Sequence, residues 1–546
     1  MAGMIPLSRP GEVPERDPLS ARAAATPDAT ALIDVETDRE WTYAAFDRRV
    51  DRVARVLGEL GDGEPPPDRL GVLMDTRPAF AVVFFAAVRT GTTVVPLNVR
   101  ETVPELADKV ERTSLEAIVC ERGTESTAVE LADRAGGCSV ASADDPERVD
   151  DGVRSLDVLE DGDATDAAPE PDTRGRIDPE TTQLIMFTSG TSGDPKGVEL
   201  TLANLVASAT ASAFRLGVDP ADRWLCCLPM YHMGGLAPVI RSTLYGTTVV
   251  IQREFTARET AHVLEEYDVT GVSLVPTMCK RLLECDRGSD GDGEDGWQPP
   301  DTLRFVLLGG APATDDLLER CLDRGVPVHP TYGMTETASQ IATATPDEVR
   351  RYEGTVGRPL VGTEVSVVDD DGDPVEPGEP GELVVAGPTV TPGYLEPAVT
   401  EAAFDERGLH TGDVGYRDEG GRLRILNRRS DRIVTGGENV DPGEVVDALL
   451  EHPAVDEAAV VGLPDEEWGE RVSALLVPTG DDLEYASVLT HCDDRLAGFK
   501  RPKTLAVADE LPRTASGTVD RDAVRKRLLE DGLDAAHLED RAGSGR

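Results

Sequence analysis

The sequence predicts an α/β protein in two parts. A large N-terminal domain (1–428) would carry mixed sheets and a β-rich subdomain, and a small α+β C-terminal domain (429–546) would follow. Three observations predict this. β-branched apolar runs alternate with helix-periodic segments through most of the first 340 residues, the pattern of βαβ units. Residues 360–426 change to short strands joined by D-G, P-G and G-G turns. After Arg428 helical and strand-like runs mix again. At roughly 100–200 residues per domain, 546 residues exceed one module and suffice for real cores.

Along the chain, WTYAAFDRRVDRVARVLGEL reads as a helix, RLGVLM as a strand, the apolar run Ala79 to Val88 as a buried helix and TTVVPLN as a strand. Residues 121–180 are acidic and Ala-rich, read either as loose solvated excursions or as an ordinary α/β segment with an acidic surface. QLIMFTS, TTVVIQ, GVSLVP and LRFVLLGG are strand candidates, and GSDGDGEDGWQPP (288–300) is a solvated loop. VDPGEVVDALLEHPAV predicts a helix, DEAAVVGLP and VSALLVP strands, and AGSGR a disordered tail.

Apolar residues make up 39% and charged residues 29%, the balance of a soluble globular protein. Lys+Arg minus Asp+Glu, 54 − 103, gives −49, which argues against nucleic-acid phosphates or an anionic membrane as primary partner. The basic residues are nearly all arginine, and Lys109, Lys196, Lys280, Lys500, Lys503 and Lys526 are the lysines. High acid with little lysine suits a salty cytoplasm, where screening relieves self-repulsion. A lysine kept in such a chain is a candidate for a specific task. The N-terminus lacks a signal-peptide core, the longest apolar run is too short to span a bilayer, and the cysteines form no C-x-x-C pair. A cytoplasmic protein with reduced core thiols is expected, its oligomeric state left open.

The strongest local signal is Ile185-Met-Phe-Thr-Ser-Gly-Thr-Ser-Gly-Asp-Pro-Lys-Gly197. A β-like run leads into Thr188, Ser189, Gly190, Thr191, Ser192 and Gly193, closed by Lys196. Glycines free backbone N–H groups to approach an anion, hydroxyls add donors and the lysine adds charge, a combination suited to a polyphosphate. It is not a Walker A loop, because Pro195 stands where that motif needs its second glycine.

TSGTSGDPKG resembles the phosphate-loop signature of the adenylate-forming superfamily, which includes acyl-CoA synthetases, luciferases and peptide-synthetase adenylation domains. Further blocks follow in order. Leu228-Pro-Met-Tyr-His-Met-Gly-Gly-Leu236 resembles the aromatic–His motif, Leu308-Gly-Gly-Ala-Pro312 the adenine-side loop, and Tyr332-Gly-Met-Thr-Glu-Thr337 the nucleotide and magnesium motif. Thr411-Gly-Asp413 resembles the ribose motif, and Arg428 with Asp431 the boundary to a mobile C-terminal domain. The resemblance runs from about residue 30 to 521. It implies ATP and Mg²⁺ as cofactors, CoA as co-substrate and a small-molecule carboxylic acid as the group activated.

By that resemblance, residues 188–193 and Lys196 grip the triphosphate, Thr335 donates to the α-phosphate and Glu336 holds Mg²⁺ through a hard carboxylate oxygen. Gly309, Gly310, Ala311, Tyr332 and Gly333 surround the adenine. Asp413 accepts from the ribose hydroxyls and Arg428 adds a charge-assisted bond. Gly436 and Gly437 let the pantetheine arm of CoA pass. His232 either lines the acyl pocket or is a satisfied loop residue.

Within the superfamily the strings around residues 222–246, 332–340 and 428–431 resemble the 2-succinylbenzoate–CoA ligases of menaquinone biosynthesis. Arg241 lies in the mostly apolar LAPVIRSTLYG, and a buried arginine needs an anion. It binds either the spectator carboxylate of a diacid or an acidic side chain. The alternatives are ligation of another aromatic or medium- to long-chain acid, or a non-catalytic nucleotide-binding relative. One block departs from the pattern. The family's P-R-T-x-x-G-K is here Pro512-Arg-Thr-Ala-Ser-Gly-Thr518, with no lysine. Arg521, Lys500 or Lys503 substitutes for it, the first step is slower, or the chain is inactive.

Overall fold

The computed structural model describes residues 17–60, 66–156, 177–188, 195–285, 297–428, 431, 433–435, 438–440, 442–465, 468–480, 483–493, 495–514 and 519–535. The chain forms two compact units, 1–364 with 385–409, and 365–384 with 410–546.

The first unit holds two large sheets. One has nine strands in the order 358–359, 339–343, 328–334, 305–308, 271–274, 223–226, 248–251, 30–34 and 39–42. Its middle is parallel and its edges antiparallel. The other has eight strands in the order 393–394, 196–201, 182–188, 93–96, 69–73, 117–120, 139–142 and 154–155. The apolar helix Pro78–Thr90 is buried from Pro78 to Val88 in the main core cluster, as its sequence predicts. Among the described residues no helix is long and apolar enough to cross a membrane.

In the second unit, Gly408–Arg417 and Leu423–Arg428 pair antiparallel, in a sheet that includes Gly381–Ala386 and Glu364–Val368. A six-stranded sheet is built on Val455–Asp465 and Gly469–Pro478. Helix Pro442–Leu450 buries Val445 and Leu449 in the apolar cluster of that unit.

Some expectations shift. Trp41 lies within the strand Arg39–Thr42, and the helix starts at Tyr43, capped by Thr42. Residues 117–156 are regular α/β with helix Glu125–Arg134 and strand Ser139–Ser142, so the second reading of that segment holds there. Trp297 is 2% exposed in the apolar cluster beneath the nine-stranded sheet, because an indole outweighs the polar residues around it. The rest of the 288–300 loop up to residue 296, and the tail, lie outside the described residues.

Candidate active site

The nucleotide motifs sit at strand ends. Thr182–Thr188 and Lys196–Thr201 pair antiparallel, with Thr188 opposite Lys196. Ser189, Gly190, Thr191, Ser192 and Gly193 lie outside the described residues, as do Gly436, Gly437 and Thr518. The strands flanking the second glycine pair, Ile433–Thr435 and Glu438–Val440, pair with each other.

Tyr332 and Gly333 close the strand Val328–Met334, and Thr335–Thr337 forms a 3₁₀ turn. Gly333 is obligatory, because a Cβ there would come within 1.8 Å of the Ser339 carbonyl oxygen. Ala338 next to the turn has φ of 51°, an uncommon value that marks local strain at a functional turn. Glu336 is 6% exposed. Its Oε1 accepts a hydrogen bond from the Tyr394 hydroxyl at 3.0 Å, and its carbonyl accepts from the Thr391 N–H at 2.7 Å. The Lys196 ammonium lies 5.6 Å from the Tyr394 ring centre. Burial and then the Glu336 carboxylate push the Tyr394 hydroxyl pKa up, keeping it a donor. Lys196, Glu336 and Tyr394 therefore form one cluster. Sequence reasoning missed Tyr394. No local signal marks it, because only the pairing of the short strand Gly393–Tyr394 with 198–199 brings it beside Lys196.

A buried carboxylate within reach of a lysine fits a hard divalent cation that takes its other ligands from phosphate oxygens and water. No group of three or more His, Cys, Asp or Glu side chains among the described residues could hold a metal, so a dedicated all-protein cage is absent there.

Strand register brings Trp224 and the adenine-side loop to one face of the nine-stranded sheet. Trp224 pairs with Gly271, Ser273 with Leu307 and Leu307 with His329, so Trp224, Ser273, Leu307 and Gly309 share one sheet face. The Trp224 Nε1 donates to Ser273 Oγ at 3.3 Å. A Cβ on Gly309 would meet the Thr331 Cγ2 at 2.6 Å, and Gly310 has φ of +81°, so this loop needs its glycines. From the Trp224 level to Gly309 is about 13 Å at 3.3 Å per residue.

Helix Met233–Tyr245 packs against the strand that carries Trp224. His232 is its N-cap residue, and Gly234, Ala237 and Arg241 form one stripe at helical spacing, about 10 Å long. Two small residues thus precede a cation. Arg241 is 3% exposed, its guanidinium 5.4 Å from the Trp224 ring centre. Its Nε and Nη2 make no hydrogen bond among the described residues, and no carboxylate pairs with it there. The ion-pair reading of Arg241 finds no support. Burial lowers its pKa, yet an arginine stays charged. Trp224 was the second residue that sequence reasoning missed, visible only once register was known.

His232 is pushed down to about 4 by burial and then by the nearby Lys109 and Arg100 charges, so it is neutral at pH 7. Its Nε2 is buried without a hydrogen-bond partner among the described residues, and its ring lies 4.9 Å from that of Tyr231. The satisfied-loop reading leaves that nitrogen unexplained.

In the second unit Asp413 and Arg428 stand opposite each other in the ladder, Nε to Oδ1 at 3.2 Å. Of the candidate stand-in cations, Lys500 is bound to Glu444 (2.7 Å to Oε1) and Arg521 to Asp431 (3.0 Å). Lys503 lies 4.0 Å from the Trp468 ring centre.

The AMP-binding enzyme family matches residues 19–395, and the AMP-binding enzyme C-terminal domain matches 444–518. The 2-succinylbenzoate–CoA ligase of Bacillus mycoides is 36% identical over 513 residues, covering 94% of this chain and 98% of that protein. That of Bacillus subtilis is 35% identical over 508 residues, covering 93% and 97%. The structure of o-succinylbenzoate CoA synthetase (MenE) from Bacillus subtilis with its acyl-adenylate intermediate superposes with a TM-score of 0.79 at 33% identity, covering 95% of this chain and 99% of that one. The same enzyme with ATP and magnesium gives 0.80 at 33% identity over 94% and 99%. The phosphate-type loop, the buried carboxylate turn, the C-terminal domain and these likenesses converge: the chain belongs to the AMP-binding enzyme family, the adenylate-forming enzymes, and its similarity within them runs to 2-succinylbenzoate–CoA ligases.

Proposed function

We propose that the chain is an AMP-forming acid–thiol ligase that joins 2-succinylbenzoate to coenzyme A through an acyl-adenylate, as a step of menaquinone biosynthesis. The carrying observation is Arg241, a buried cation without an acidic partner among the described residues, against the Trp224 ring on the sheet face that leads to Gly309. Its unused N–H groups suit the ring carboxylate of the acid, while the succinyl carboxylate reaches the nucleotide end. A fatty acid has nothing to offer that cation. The succinyl carboxylate oxygen attacks the α-phosphorus of ATP and pyrophosphate leaves. The CoA thiol, after losing its proton, then attacks the acyl carbon and AMP leaves.

Lys196 and the hydroxyls of 188–193 neutralise the phosphates, and Thr335 donates to the α-phosphate. Gly310, Ala311 and Tyr332 border the adenine, Asp413 and Arg428 take the ribose, and Gly436 and Gly437 admit the pantetheine. His232, neutral, offers its Nε2 to the acid. Glu336 would hold Mg²⁺, which would supply Lewis-acid charge stabilisation. The 428/429 boundary is the proposed hinge, and the composition supports a cytoplasm of high salt. Pyrophosphate release in molar KCl tests the assignment with 2-succinylbenzoate, benzoate and medium-chain fatty acids. The diacid should dominate. Preference for a fatty acid would reject the assignment, and no acid-dependent release at all would leave only a nucleotide-binding relative.

A further inference from the structure

Tyr394 touches two members of the nucleotide cluster from a third piece of chain. Its hydroxyl donates to Glu336 Oε1 at 3.0 Å, and its ring lies 5.6 Å from the Lys196 ammonium. The side chain is 7% exposed and fixed at both ends. Its N–H donates to the Thr400 Oγ1 at 2.8 Å, and the strand Gly393–Tyr394 pairs with Val198 and Glu199. Two residues earlier, the Thr391 N–H grips the Glu336 carbonyl at 2.7 Å, and its hydroxyl donates to Gly393 O at 2.7 Å. Backbone and carboxylate of Glu336 are thus both held by 391–394.

We propose that Tyr394 is a positioning residue for the metal–nucleotide site: it occupies one oxygen of Glu336 so that the carboxylate meets a nucleotide-bound divalent cation in one fixed orientation, and it holds the Lys196 stem beside it. This rests on the nucleotide reading of Glu336 given above. A hydroxyl donor fixes a carboxylate oxygen without adding a compensating charge, and the same ring offers the Lys196 ammonium an aromatic face. Outer-shell partners of this kind commonly alter metal affinity by one to two orders of magnitude.

ATP binding to the full chain is measured by calorimetry, with saturating Mg²⁺ and separately in EDTA. Tyr394→Phe keeps the ring and loses the hydroxyl. It should lower the Mg²⁺-dependent gain in ATP affinity about tenfold and leave the affinity in EDTA unchanged. Glu336→Gln should lose that gain too, and the double variant should lose no more than Glu336→Gln alone. An unaltered gain in Tyr394→Phe, an equal loss with and without Mg²⁺, or additive losses in the double variant would overturn the proposal. A wild-type chain whose ATP affinity ignores Mg²⁺ would overturn the nucleotide reading of Glu336 and this inference together.

Discussion

Two buried arginines of the first unit, Arg89 and Arg241, have opposite surroundings. Arg89, with a side chain 6% exposed, donates to Asp17 Oδ2 and Asp47 Oδ1 at 2.6 Å each and also pairs with Asp51. Arg22, 1% exposed, is likewise occupied, by the carbonyls of Thr243 (3.1 Å) and Leu244 (2.6 Å). Arg241 is equally deep, but it has the face of Trp224 and two nitrogens, Nε and Nη2, without a hydrogen bond among the described residues. A buried cation–π contact offsets about 2 kcal/mol, less than the several kcal/mol of burying a guanidinium. A chain with 103 acidic residues could have placed one there. Burial with partners builds the fold, and burial without them leaves room for a ligand.

The largest effect should come from Arg89→Met. It removes the guanidinium shared by Asp17, Asp47 and Asp51, two of them almost fully buried, and should cost about 3–5 kcal/mol in urea unfolding. A loss as small from Arg89 as from an exposed residue would break the comparison on the structural side. Next, Glu336→Gln should lower pyrophosphate release by about 10²–10³, because it weakens the hold on the Mg²⁺ that would offset charge on the reacting phosphates.

A smaller effect is expected at His232. Its pKa is about 4 in the fold against 6.5 unfolded, so the unfolded chain binds the proton first. Its contribution to stability is complete above pH 6.5 and is lost as pH falls from 6.5 towards 4, by at most about 1.4 kcal/mol per pH unit. His232→Asn should flatten the stability curve between pH 6.5 and 5. An unchanged slope would mean that the imidazole is not held neutral. The smallest effect should be Thr518→Lys, which should change pyrophosphate release by less than about threefold if Lys503 supplies the missing charge, and Lys503→Ala should then slow that step. A gain of orders of magnitude in Thr518→Lys would show that no cation substitutes.

Much of this was legible in the sequence where one segment sufficed. The alternation of apolar runs placed the strands at 182–188, 248–251, 271–274 and 305–308, and the motif order gave the ligase family. Arg241 stood out because an arginine amid LAPVIRSTLYG breaks an apolar pattern. What was not legible depends on chain segments far apart. Trp224 lies beside Arg241 only through strand register and helix packing. Tyr394 meets Glu336 across 58 residues, and nothing local in T-P-G-Y-L announces it. Trp297 was misread because a polar stretch hides one large apolar ring whose burial decides its place.

The most direct test of Arg241 compares 2-succinylbenzoate with 4-oxo-4-phenylbutanoate, which lacks only the ring carboxylate. The measured quantity is the ratio of kcat/KM for pyrophosphate release in the wild type and in Arg241→Met. The ratio should be high in the wild type and fall by about 10² or more in the variant, the scale of losing a charge-assisted bidentate contact. The urea midpoint should be no lower than that of the wild type, because a buried unpaired charge has been removed. An unchanged ratio, or equal loss for both acids with a lowered midpoint, would contradict the account and make Arg241 a structural residue.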